Sequence, residues 1–324
     1  MKKFTTQKYQ ENINEFSTKI TFFTPTFNRA KYLKRIYEGL KTQTCNDFVW
    51  IIVNDGSQDN TEEIVESIIE LNDLPILYIS KPNGGKHSAF EIALQNCETK
   101  YFQCLDDDDI YDSESVEFYL KEWQKIENEG RDDIGAIRTI AKRRDGSYVS
   151  NKKDEIITGD KEDCTTLEMN YVRKHNQENW TCYKTSALKD IDLFPHGYWL
   201  ENRHKFFMET IWQGRFARKY KCRYIYKSLR IYTDDAETSL IRAKKDPQYY
   251  VNLFINSRFL LEDQYDYIKK DKIILLKKIG IIQLLRGYLN ISLKDLLNNT
   301  SNSTIKKFFK FSFPISCFWR LYIK

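Results

Sequence analysis

Between Lys19 and Asp109, short apolar runs alternate with amphipathic stretches. Ile20–Phe23 is an apolar run that ends at Thr24-Pro25. Ala30 to Gln43 places Tyr32, Leu33, Ile36, Tyr37 and Leu40 at helical spacing. Phe48–Val53 is rich in β-formers and stops at the turn cluster Asn54-Asp55-Gly56-Ser57. Asn60 or Thr61 reads as the cap of a helix reaching about Leu71, with Glu62 and Glu63 in its first turn. Ile76–Ile79 is a third strand, and Asn83-Gly84-Gly85 breaks into a helix that runs to about Cys97. Tyr101–Leu105 is a fourth, ending in Asp106-Asp107-Asp108-Asp109.

Four β-then-α units imply a parallel sheet with right-handed crossovers. Ligands of such sheets bind beyond the carboxyl ends of the strands. The polar clusters Thr24–Arg29, Asn54–Asp59, Asn83–His87 and Asp106–Asp109 all fall at that edge. Beyond Ser113 the alternation loosens. Ser113–Asn128 reads as a helix, and Ala136–Ala141 with Ser147–Ser150 as a hairpin across Asp145-Gly146. Asn151–Asn170 reads as a polar excursion and Asn179–Tyr183 as a strand. Lys205–Tyr220, Gln248–Asp263 and Lys270–Asn290 read as helices.

With 324 residues, 41% hydrophobic and 15% aromatic, the chain has ample core for one large domain or two ordinary ones and is not disordered. No stretch of eighteen apolar residues is present to span a bilayer, and Met1–Phe16 lacks the apolar region of a secretory signal. The seven cysteines are scattered without zinc or redox spacing, as expected of small apolar fillers in a reducing cytosol. The net charge of +5 is unevenly distributed: from Lys269 onward twelve Lys/Arg face two acidic residues, giving +10, so the rest of the chain carries −5. A nucleic-acid-binding body is therefore disfavoured.

Four consecutive aspartates at a strand end repel one another unless positive charge sits among them. A hard divalent cation, Mg²⁺ or Mn²⁺, would supply it and keep positions open for substrate phosphates. Asp55 can accept from the N–H of a base ring while Gly56 lets the backbone turn, and Asn83-Gly84-Gly85-Lys86-His87 offers a phosphate cradle with a cation at hand. Taken alone, each is also an ordinary turn.

Together, Pro25-Thr26-Phe27-Asn28-Arg29, Asn54-Asp55-Gly56-Ser57, Asn83-Gly84-Gly85-Lys86-His87-Ser88-Ala89 and Leu105 through Asp109 resemble, in order and spacing, family 2 glycosyltransferases of the GT-A fold. The resemblance covers about Lys19 to Ser239. It implies a Rossmann-like, mostly parallel sheet flanked by helices, here followed by a helical C-terminal extension. The implied catalytic domain is 1–240, with a nucleotide-sugar half at about 19–112 and an acceptor half at about 113–240; 241–324 is the extension. The resemblance places Pro25 and Phe27 beside the nucleotide base, with Arg29 next to them and Asp55 bonded to it. It makes Asp108, with Asp106 beside it, the metal ligand and puts Asp107 near the donor ribose or sugar. Lys86 and His87 face the donor. Glu209, at a helix start, matches the family's catalytic base, with Glu201 in reserve, and Ile231–Ser239 resembles a loop that closes the catalytic domain. Where the family usually has an Asn and then a Gly in the helix after His87, this chain has Glu91 and Ala93, and the Asp that often follows the catalytic Glu is missing.

The implied reaction is inverting transfer from a nucleoside-diphosphate-sugar, with uridine the expected base, to a hydroxyl of a glycan or lipid-linked glycan in surface-polysaccharide synthesis. Trp180, Trp199 and Trp212 could stack on acceptor sugars or simply pack. The basic, aromatic-rich tail suits either a helix lying on an anionic membrane, which would place the enzyme on the inner face of the cell membrane, or a packed lobe or dimer element. Two other readings share the sheet. A nucleotidyltransferase needs a Gly-rich loop where this chain has Thr24–Arg29, and a non-catalytic carbohydrate- or nucleotide-binding protein has no need of both Asp108 and Glu209.

Overall fold

The computed structural model describes residues 1–11, 19–107, 109–149, 161–174, 178–198, 200–203, 206–233 and 246–319, without the side chains of 203 and 313–319. They form two compact units, one of residues 1–191 with 216–237 and one of 192–215 with 238–324.

The first unit contains β1 (Lys2–Thr5), α1 (Gln7–Glu11), β2 (Ile20–Thr26), α2 (Ala30–Lys41), β3 (Phe48–Asn54), α3 (Thr61–Leu71), β4 (Ile76–Ser80), α4 (Lys86–Gln95) and β5 (Tyr101–Cys104). After these come β6 (Ile110–Tyr111), α5 (Ser115–Asn128), β7 (Ile134–Lys142), β8 (Lys161–Cys164), β9 (Asn179–Lys184) and α6 (Thr185–Lys189). In the second unit α7 (Glu209–Phe216) begins, and the chain returns to the first for β10 (Lys221–Ile231). The second unit then continues with α8 (Pro247–Asp263), α9 (Tyr265–Ile268), α10 (Lys272–Tyr288), α11 (Leu293–Asn298) and α12 (Ser303–Trp319).

The strands lie in the order β1-β4-β3-β2-β5-β9-β7-β10-β6, with β8 added to β10. β4, β3, β2 and β5 pair in parallel. All seven residues of β3 are buried, because a parallel sheet is covered on both faces and so reads as continuous apolar sequence. Ile20, Phe22, Trp50, Ile52 and Tyr78 join Leu33, Ile36, Val65, Ile68, Tyr119 and Trp123 in one core cluster. On the other face Phe23 packs edge-on against Phe90 of α4.

Chain order and sheet order part company at β2. From β2 the chain steps to β3 and β4 on one side, then returns to lay β5 on the other. Such a reversal opens a crevice at the carboxyl ends of the two strands involved. β5 stops at Cys104, opposite Phe23, while β2 runs three residues further along β3. Pro25, lacking an N–H, is tolerated in this overhang.

Several elements differ from the expectation. The N-cap of α3 is Asn60, one of the two expected, but its side chain makes no capping bond; instead Asp59 Oδ1 accepts from Thr61 N at 3.2 Å and from its hydroxyl at 2.5 Å. The hairpin across Asp145-Gly146 is a tight turn with one bridge, Lys142 to Tyr148. The supposed polar excursion contains β8, although 151–160 lie outside the described residues, and the Lys205–Tyr220 helix is confined to Glu209–Phe216. The 11-residue β10 and the N-terminal β1 were not foreseen. Register shifts between Ile225 and Ser228 and between Ser228 and Arg230 break the alternation of β10, and β1 is an edge strand of polar composition.

β10, β8 and α5 are fastened by Arg223, only 1% exposed, whose Nη2 lies 2.5 Å from Glu129 and whose Nε lies 2.9 Å from Asp163. Hydrogen bonds from Arg223, then Lys161, pull the Glu129 carboxyl down to about 2. A carboxyl depressed by folding stabilises above its unfolded pKa and loses that contribution as pH falls through the folded value. Arg223→Gln should therefore lower Tm by on the order of 5 °C at neutral pH. The deficit should shrink as pH drops from about 4.5 toward 2. Thermal melts across that range check it; a deficit that does not change with pH would contradict the account.

Candidate active site

Loops from three strands meet at the crevice. Asn28, in the left-handed region at φ 55°, turns the chain between β2 and α2. Its N–H donates to Ser57 Oγ at 2.9 Å, and its Oδ1 accepts from Gln58 N at 2.7 Å. Asp59 Oδ2 accepts from Ala30 N, the first residue of α2, at 3.1 Å. The same carboxylate that holds Thr61 at the start of α3 thus also anchors α2, and the loops after β2 and β3 are tied into one piece.

Asp55 ties in the third loop. Its side chain is almost fully buried, and its two oxygens accept from Gly84 N at 2.9 Å, Gly85 N at 2.8 Å, Asn83 Nδ2 at 3.3 Å and the Lys81 ammonium. A carboxylate offers about four lone-pair sites, so a base N–H would have to share one of them. Gly56 sits at φ 80°, where a Cβ would come 2.7 Å from Asn83 N. Gly85, at φ 88°, opens α4 and presents Lys86 as its first residue.

The aspartate run is met by cations from three separate elements. Lys86 Nζ lies 2.7 Å from Asp106 Oδ1, Arg29 Nε 2.7 Å from Asp107 Oδ1, and Arg230 Nη1 of β10 3.2 Å from Asp109 Oδ2. Arg29 and Asp107 belong to the two loops on either side of the crevice, so their ion pair spans it. Thr233 N also donates to Asp109, and the Tyr111 hydroxyl to the Asp106 carbonyl. Burial pushes the Asp106 carboxyl up, but the charges of Lys86, Arg230 and Arg29 outweigh it and hold the group below the usual carboxylate range.

The other anticipated residues are placed as follows. Pro25 is half-buried and Phe27 is 44% exposed at the same edge, while His87 is half-buried in the first turn of α4. Trp180 is a core residue, stacked near Phe22 and donating from its indole N–H to the Cys104 carbonyl. Trp212 is 2% exposed, so both ring faces are covered and stacking on a sugar is not open to it. Asp108, Trp199 and 234–239 of the closing loop lie outside the described residues.

Glu209 is the exposed first residue of α7 in the second unit. The chain ahead of it is held by Asn256 of α8, whose Oδ1 accepts from Met208 N at 2.8 Å and whose amide donates to the Phe206 carbonyl at 2.8 Å. Gln264 donates to the Thr210 carbonyl, and Arg215 pairs with Asp263 at 2.9 Å. Glu201, in the short helical turn 201–203, accepts from Gly197 N and faces His196 Nδ1 at 3.5 Å. Sequence reading missed Lys81, Arg230 and Asn256; an isolated basic or amide residue has no motif of its own.

Residues 21–188, half of the chain, match the profile described as glycosyl transferase family 2. The chain belongs to that family. Among its curated relatives it is 36% identical over 134 residues to the chondroitin synthase of Pasteurella multocida (strain Pm70), covering 41% of this chain and 13% of that protein. It is 36% identical over 110 residues to the teichoic acid poly(glycerol phosphate) polymerase of Staphylococcus epidermidis (strain ATCC 35984), covering 34% of this chain and 15% of the relative. The match thus spans only a small part of each relative's length. Among solved structures, residues 1–349 of S. aureus TarS in complex with UDP-GlcNAc superpose with a TM-score of 0.54 at 18% identity, covering 86% of this chain and 82% of that one. The fold is accordingly the GT-A type.

The turn suits a hard divalent cation in donor chemistry: its groups are carboxylate oxygens, and Asp106 is ionised and partly exposed. Among the described residues no group of three or more His, Cys, Asp or Glu converges as a metal cage. Sites completed by substrate phosphates and water need fewer protein ligands than that.

Asp55→Asn should cost about 2–4 kcal/mol of stability, because an amide cannot accept at both atoms and leaves Gly84 or Gly85 N–H and the Lys81 ammonium poorly paired. Urea denaturation measures this; a change within about 0.5 kcal/mol would show that the turn does not depend on the carboxylate.

Proposed function

We propose that this chain moves a sugar from a nucleoside-diphosphate-sugar, with UDP the favoured carrier, to a hydroxyl of a glycan or lipid-linked glycan during cell-surface polysaccharide synthesis. The observation that carries the reading is the meeting of Asp106 and Asp107 with Lys86 and Arg29 across the crevice between β2 and β5, inside the segment that matches the family.

In this mechanism the base lies against Pro25 and Phe27, on a seat that Asp55 shapes through the Gly84 and Gly85 amides. Lys86 and Arg29 pass from Asp106 and Asp107 to the diphosphate oxygens and neutralise the charge that grows there as the glycosidic bond breaks. Such stabilisation contributes several kcal/mol in a site that excludes water. His87, one residue further into the first turn of α4, faces the donor. A divalent cation held by Asp108 and Asp106 would add positive charge at the leaving diphosphate. Lys86 and Arg29 thereby exchange a carboxylate partner for the diphosphate, and a cation at Asp106 and Asp108 would replace the charge that Lys86 withdraws. Asp107, once released, stands close to the donor ribose or sugar.

Glu209 serves as the base that takes the proton from the acceptor hydroxyl, which attacks the anomeric carbon from the face opposite the diphosphate and inverts it. The relatives' printed names, a chondroitin synthase and a teichoic acid polymerase, support a polymer acceptor.

Nucleoside-diphosphate release from a panel of sugar nucleotides, with Mn²⁺, Mg²⁺ or chelator, tests the reading. Metal-dependent hydrolysis of one donor is expected. No turnover, and no donor-induced rise in Tm, would make the chain a non-catalytic relative on the same fold. Glu209→Gln should keep donor binding and lose transfer by about 10²–10⁴-fold; if Glu201→Gln does so instead, the base is misassigned. Asp108→Ala should abolish the metal dependence of donor binding, and unchanged binding and turnover would remove the metal from the scheme.

A further inference from the structure

Helix α10 is apolar on two opposite faces. Leu275, Ile279, Ile282 and Leu285 are buried within the second unit, where Gln283 also bonds the Phe309 carbonyl of α12 at 2.7 Å. The opposite face should carry the polar residues that a surface helix turns to water. Instead Ile273 is 66% exposed, Leu276 63%, Ile281 37% and Tyr288 57%. Gly280 is also exposed there, and at about 100° per residue these positions share one broad outward face of roughly 140°. Lys272 and Lys277, both exposed, lie at and along it. On α12, Phe311 is 79% exposed beside the exposed Lys307 and Lys310.

We infer that the outward face of α10, formed by Ile273, Leu276, Ile281 and Tyr288 with Lys272 and Lys277, docks the chain on an anionic lipid bilayer. Among the described residues no helix is long and apolar enough to cross a membrane. At about 1.5 Å per residue the 17 residues of α10 extend roughly 25 Å. Lying in the headgroup plane, such a helix buries Ile, Leu and Tyr among acyl chains while the lysine stems reach back to the phosphates. The alternative occupant, a second copy of this chain, is opposed by charge. The face carries the exposed Lys272 and Lys277, α10 contains no acidic residue, and a two-fold interface through it would set these lysines against their copies. An anionic surface accepts both the apolar stripe and the lysines.

The docking does not depend on the transfer reading, and its test separates the two. The full chain is sedimented with vesicles of phosphatidylcholine plus phosphatidylglycerol and with vesicles of phosphatidylcholine alone. Binding to the anionic vesicles that weakens with added salt is expected, with little to the neutral ones. The double variant Leu276→Glu/Ile281→Glu should lose at least about tenfold in vesicle binding. Lys272→Glu/Lys277→Glu should lose a similar amount, since surface potential acts on each charge. Both variants should keep the wild-type Tm and vesicle-free donor hydrolysis, since the side chains are exposed. Equal binding to neutral vesicles, wild-type binding by the variants, or no vesicle binding at all would overturn the inference. Light scattering that shows a wild-type dimer broken by Leu276→Glu/Ile281→Glu, without lipid binding, would assign the face to a second copy.

Discussion

Carboxylates in sequence are tolerated only where positive charge reaches them, and the architecture of the first unit answers that requirement at Asp106–Asp109. The cations come from places far apart in the chain: Arg29 ahead of α2, Lys86 at the start of α4 and Arg230 near the end of β10. Arg29 enters from the loop after β2, the neighbour of β5, Lys86 from the turn after β4, and Arg230 because β6, directly after the aspartates, pairs with β10. The acidic turn therefore acts as a junction, and the same pairs that relieve repulsion fix where the loops stand. In each pair the charges cancel, so the crevice holds its cations in position on its own carboxylates.

Below the junction, Asp55 and Asp59 organise the backbone. Each carboxylate joins two elements: Asp59 the starts of α2 and α3, Asp55 the end of β3 and the turn before α4. Both acidic groups face backbone N–H donors, several of them at helix starts, where a negative charge is favoured by the helix dipole as well as by the bond itself. This fixes the backbone ahead of Lys86, whose ammonium is held by Asp106. An ammonium on a long stem would otherwise give up much rotamer entropy to reach a diphosphate.

The parallel half of the sheet was legible because its strands are covered on both faces, which writes Phe48–Val53 as an uninterrupted apolar run, and because each strand ends in a turn cluster. The motif residues were legible for the same reason: polar side chains that closely follow apolar runs must lie at one edge. β10 was not, since its register shifts scatter Arg223, Tyr224, Leu229 and Arg230 among exposed positions and erase the two-residue period. Arg230 escaped notice with it, although it is the partner of Asp109 in the aspartate turn. Trp212 shows the opposite failure. An aromatic residue near a presumed acceptor site suggests a sugar platform, yet its neighbours Ile211 and Phe216 are buried as well, and the ring belongs to the packing of its helix.

The C-terminal region also has more than one task. Read from composition it is a basic tail, but α8 forms the bed of the segment that carries Glu209. Asn256, only 2% exposed, satisfies the backbone on both sides of Phe207 immediately before α7 begins. Gly214 fits because a Cβ there would lie 2.4 Å from Gln264 Nε2, the amide that also holds the Thr210 carbonyl. A helix of eight residues has little stability of its own, and under the role proposed for Glu209 its first residue would have to be held closely in place. The helices after the sheet supply that rigidity. The outward face of α10 is then the surface they can spare, since its inward face is already committed to holding α8 and α12 together.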